Sequence, residues 1–152
     1  MSLALNLIKG KSWLGNEIKY SSNVLYVAYE DPKFIEMRFQ ALNKACFGDD
    51  EFGSDQLNIV SHPPDIFTNY FVEAVEQYFY EKTIVDTTHR VLVIDTLALA
   101  MAGLGDENNS GTMGQVIDHF RRIKAIGITI IFIHHSGKDP SKVDRSASYM
   151  TR

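Results

Sequence analysis

Three apolar segments of this chain run straight into ionisable side chains. "NVLYVAYED" (Asn23–Asp31) ends in Glu30 and Asp31, "RVLVID" ends in Asp95, and "ITIIFIHH" ends in His134 and His135. A carboxylate on a rigid strand end can hold Mg²⁺, directly or through water, while the metal bridges phosphate oxygens. A second carboxylate nearby can orient or deprotonate a water for attack on phosphorus. A histidine there can donate a hydrogen bond to a terminal phosphate. Bland roles compete with each: Asp95 with Thr96 could cap the turn that follows, and both Glu30 and Asp31 could be caps. Asp31 is the weaker candidate for the nucleotide site, because Asp31-Pro32 suits the start of a helix. A buried histidine is usually satisfied by backbone. A zinc site needs more ligands at matched spacing, and the single Cys46 is far away in sequence.

Gly10-Lys11-Ser12 raises a different possibility, because G-K-S closes the phosphate-binding loop G-x-x-x-x-G-K-[ST]. The first glycine of that pattern would fall at Leu5. The preceding "MSLALNLIK" reads as helix, with Leu3, Leu5, Leu7 and Ile8 in partial helical spacing. Gly10 is then expected to close that helix. Ser136-Gly137-Lys138 also lacks the upstream glycine.

Elements must hold these residues in place. The strand segment 23–31 is followed by "PKFIEMRFQALNKACFG", with a helical stripe at Phe34, Ile35, Met37, Leu42 and Cys46. "DQLNIVSH" is a short strand, and "DIFTNYFVEAVEQYFYEKTI" an amphipathic helix. "HRVLVIDTLALA" is a buried strand, "LGDENNSGT" a polar loop, "MGQVIDHFRRIKAIG" a helix and "ITIIFIHHSG" a last buried strand. This alternation predicts an α/β fold with a mostly parallel sheet and helices on both faces. Ligands of such sheets sit beyond the carboxyl ends of the strands, where Glu30, Asp95 and the histidine pair fall.

Bulk properties narrow the classes. The 152 residues suit one domain, expected to span 1–152 and able to bury about 68–70% of its unfolded surface. The net charge of −4 provides no global attraction to nucleic acid or anionic lipid. One cysteine cannot form an internal disulfide, no apolar run approaches a membrane span, and the start lacks a signal-peptide layout. A cytoplasmic protein is expected.

The segments "VLYVAYED", "RVLVIDTLALAMAGLGDENNSGTMGQVIDHFRRI" and "ITIIFIHHSGKDPSK…R" together resemble the RecA-like ATPase domain of RepA-type hexameric replicative helicases. The resemblance spans nearly the whole chain. It implies a P-loop NTPase core using ATP and Mg²⁺, with Glu30 as catalytic base, Asp95 serving the metal in a Walker B strand, and His135 sensing the γ-phosphate. In relatives the Walker A loop comes immediately before a helix similar to "SLALNLIK". It would lie just upstream of Met1, so a core truncated at both ends is expected. No residue here replaces that loop.

The resemblance also implies single-stranded DNA and other copies in a ring as partners of the intact protein. DNA candidates are the loop 103–112 and the basic tail residues Lys138, Lys142 and Arg145. Arg152 lies in the region leading to an intersubunit arginine finger. The isolated chain is expected to be a monomer or small assembly, without ATPase activity. The alternatives are a degenerate module that assembles or binds DNA without hydrolysis, and an α/β enzyme of unrelated chemistry.

Overall fold

The computed structural model describes residues 1–31, 33–48, 55–83, 89–102 and 110–134. Helix α1 (Ser2–Lys9) buries Ala4, Leu5 and Ile8, a stripe one helical turn long. It is followed by β1 (Ser22–Ala28), α2 (Ile35–Phe47), β2 (Leu57–Val60), α3 (Asn69–Thr83) and β3 (His89–Asp95). Short α4 (Leu97–Ala100), α5 (Ser110–Ala125) and β4 (Ile128–Ile133) complete the described elements.

The strands form a four-stranded sheet in the order β2-β1-β3-β4, parallel at every pairing. Every residue of β1 is buried. Strands covered on both faces carry apolar side chains at consecutive positions, and β1 and β3 do so. Alternation sends Val24, Tyr26, Ala28, Val91 and Val93 into a core with α1 and α2. Leu25, Val27, Leu92 and Ile94 enter the opposite core, with Phe71, Val72, Val75 and Phe79 of α3 and Val116 and Ile123 of α5. On that face Arg122 forks onto Glu76, with hydrogen bonds of 2.7 and 2.6 Å tying α5 to α3.

The α/β architecture agrees with the sequence reading. One local expectation changes, and one alternative role falls away. Asp31 does not cap α2, which begins later with Phe34 at its N-cap; the Asp31 carboxylate instead pairs with Arg38 at 2.7 Å. Asp95 does not cap the turn after β3; Thr96 does, accepting from the Leu99 N–H at 3.4 Å.

Candidate functional site

The chain direction locates the site. From β1 the chain crosses through α2 to β2 on one side; from β3 it crosses through α5 to β4 on the other. Adjacent strands whose connections leave in opposite directions open a crevice at their carboxyl ends, the usual ligand position in open α/β sheets. Here those strands are β1 and β3, and their ends bring Glu30 beside Asp95.

Register makes the juxtaposition specific. Ala28 pairs with Asp95 across the strands. Just past that pair the Asp95 carbonyl accepts two backbone N–H groups, from Tyr29 at 2.6 Å and Glu30 at 3.1 Å. Glu30 is therefore not on β1 itself but in the turn after it, anchored by its backbone to Asp95.

Tyr26 joins Asp95 at this edge. It pairs with Val93, so Asp95, two residues further along β3, projects from the same sheet face. Its phenol donates a hydrogen bond to Asp95 Oδ2. The ring is 1% exposed and meets Phe39 edge-on, with centroids 4.9 Å apart and planes at 86°. Burial raises the phenol's pKa well above its ordinary value. The hydrogen bond to Asp95 and the negative charges of Asp95 and Glu30 push it the same way. Both acids therefore act electrostatically on one phenol.

The start of α1 joins this cluster. A cavity of about 320 Å³ opens here, with Met1, Ser2, Trp13, Tyr26, Val93 and Ile133 among its walls. The Trp13 indole N–H donates to Ser2 Oγ at 3.3 Å, closing one side. A larger cavity of about 630 Å³ lies around Glu76, Tyr80, Arg90 and Ile126. Arg90 is at the start of β3, so that cavity belongs to the amino edge, away from Glu30 and Asp95.

Gly10-Lys11-Ser12 sits at the far end of α1. Gly10 has φ +58°, a left-handed conformation that glycine adopts without a Cβ penalty. The Gly10 N–H donates to the Leu7 carbonyl at 3.4 Å and the Lys11 N–H to Asn6 at 3.0 Å. These N–H groups close the helix, so they are not free to cradle a phosphate.

Mg²⁺ would fit here in a limited way. Among the described residues no group of three or more His, Cys, Asp or Glu side chains forms a metal cage. Mg²⁺ typically needs only one or two carboxylates plus substrate phosphates and waters. Asp95 would hold it, with Glu30 on the adjoining turn. His134 is exposed just past β4. His135, Lys138, Lys142, Arg145 and Arg152 lie outside the described residues, as does the loop 103–109. Sequence reasoning missed Tyr26. Its signal was parity: 26 and 95 share a face only once β1 and β3 are neighbours in the observed register.

An all-parallel sheet flanked by helices, with acids gathered at its switch point, defines a class consistent with a RecA-like P-loop NTPase core. A family model described as an AAA domain matches residues 1–141, and the chain belongs to that family. No curated protein matches the chain. Among the described residues, no helix is long and apolar enough to cross a membrane.

Proposed function

We propose that this chain is the ATP-hydrolysing core of a RecA-like, DNA-dependent ATPase of the replicative-helicase type. The observation that carries the reading is the convergence of Glu30 and Asp95 at the β1/β3 switch point, tied through the Asp95 carbonyl. Mg²⁺ held at Asp95 would supply neutralisation of phosphate charge. Asp95 holds the metal side of the site. Glu30 orients the attacking water and takes its proton at a carboxylate oxygen. His135 is the proposed sensor of the terminal phosphate, and Asp31 an outer contributor through its ion pair with Arg38. Lys138, Lys142 and Arg145 are proposed to meet single-stranded DNA through phosphates, without reading sequence. Arg152 is proposed to reach a neighbouring subunit in a ring.

One observation favours a second reading, a non-hydrolysing module for assembly or DNA binding. The G-K-S segment is spent on closing α1, through the Gly10 and Lys11 N–H groups. Phosphate release separates the two, measured with and without single-stranded DNA on the longest form of the protein that its coding region supplies. DNA-stimulated turnover lost in Glu30→Gln supports the ATPase. Absence of turnover, with DNA binding intact, selects the second reading.

A further inference from the structure

Asp95 has two carboxylate oxygens, and the Tyr26 phenol bonds to one of them, Oδ2. That phenol has little freedom. Its ring is 1% exposed, wedged under α1 and α2, and held edge-on by Phe39. Its backbone is fixed in the central strand by the pairing of Tyr26 with Val93. A phenylalanine would fill the same apolar space, so packing does not require the hydroxyl. A phenolic O–H has one proton to donate, and here it goes to the carboxylate.

We infer that Tyr26 is a positioning residue for Asp95: its hydroxyl occupies Oδ2 and fixes the carboxylate plane, leaving Oδ1 as the oxygen offered to a divalent cation or its water. The inference rests on the metal role proposed for Asp95. Carboxylates that ligate metals are commonly oriented by hydrogen bonds of this kind, and losing such a partner typically costs about 10–100-fold in metal affinity. Freed from the phenol, the Asp95 carboxylate can rotate about its terminal torsion, and the entropy of fixing it then falls on metal binding.

The test uses Mn²⁺ as the probe, with a readout that needs no turnover. Mn²⁺ is titrated into the isotopically labelled chain, and the broadening of backbone amide resonances is followed. In the wild type, broadening centres on Glu30, Asp95 and Thr96, and it disappears in Asp95→Asn. In Tyr26→Phe the same amides require about tenfold more Mn²⁺, the low end of the range for such partners, while the rest of the spectrum matches the wild type. Unchanged or tighter Mn²⁺ affinity in a folded Tyr26→Phe overturns the inference and leaves the metal role of Asp95 standing. No broadening at these amides in the wild type overturns both. Should Tyr26→Phe fail to fold, Phe39→Leu decides. It keeps the hydroxyl but loosens the ring, so weaker Mn²⁺ binding supports the inference and unchanged binding rejects it.

Discussion

The Glu30 backbone N–H donates to the Asp95 carbonyl at 3.1 Å. The two acids are therefore coupled through the main chain, and either side chain can be changed without cutting that tether. In the proposed mechanism they do different work. Glu30→Gln should lower ATP turnover in the active form by about 10²–10⁴-fold, the usual contribution of a general base, while leaving nucleotide affinity nearly unchanged. Asp95→Asn should raise the Mg²⁺ concentration needed for both binding and turnover. Equilibrium binding of a fluorescent ATP analogue at several Mg²⁺ concentrations, beside phosphate release, separates the two signatures. Identical behaviour of the two variants would remove the division of labour.

Residues 1–152 by themselves should bind Mg-ATP very weakly and hydrolyse none above background. Two carboxylates facing a polyanion repel it unless a metal intervenes, and Mg²⁺ holds weakly to one or two carboxylates. A phosphate nest needs free backbone N–H groups, and those at Gly10 and Lys11 are committed to Leu7 and Asn6. Calorimetry with Mg-ATP checks the expectation. Tight binding that vanishes in Lys11→Ala would return G-K-S to the site, against its place at the closing end of α1.

Tyr78 offers a stability test away from the site. Its hydroxyl is buried without a hydrogen-bond partner among the described residues, while its ring packs edge-on against Phe79 at 4.9 Å. An unsatisfied buried hydroxyl costs about 1–3 kcal/mol. Tyr78→Phe keeps the ring and removes the cost, so it should stabilise the chain by about 1 kcal/mol in urea unfolding. Destabilisation of that size would mean that the hydroxyl has a partner.

Much of the architecture was readable because its signals are local. Continuous apolar runs at 24–28 and 91–94 mark doubly covered strands, and the acids that follow them point to the carboxyl edge. The Tyr26–Asp95 bond was not readable. It depends on Tyr26 matching Val93 across β1 and β3, a register settled by tertiary packing. The helix start after Asp31 was misread for a related reason. Asp-Pro favours a cap locally, but Arg38 on the first turn of α2 draws the carboxylate into an ion pair. The apolar side chains of Phe34 and Ile35 add no cap of their own, and α2 begins without a side-chain cap hydrogen bond. Thr96 caps the turn after β3, while the Asp95 carboxylate accepts from the Tyr26 phenol.

Alkaline pH should weaken this fold through its tyrosines. Burial raises the pKa of Tyr78 to about 12 from an ordinary 10.0, and raises Tyr26 and Tyr29 further. Tyr29 also donates its hydroxyl proton to the Pro64 carbonyl at 2.8 Å, a bond the phenolate could not make. Below the ordinary value all three phenols are protonated whether the chain is folded or not, so their contribution to stability is fully present. Above it, the unfolded chain releases protons that the folded chain retains. The unfolded state then binds fewer protons than the native state, and stability falls as pH rises. For Tyr78 the loss runs from the ordinary value to about 12; for the other two it continues beyond. Urea unfolding in steps upward from neutral pH should show a plateau and then a decline that starts near the ordinary phenol value. Tyr29→Phe should be less stable than the wild type on the plateau, having lost its bond to Pro64, and should decline less steeply above it. Tyr78→Phe, which loses no bond, should start higher and also decline less steeply. Parallel curves for the wild type and both variants across the alkaline range would show that these phenols do not govern the decline.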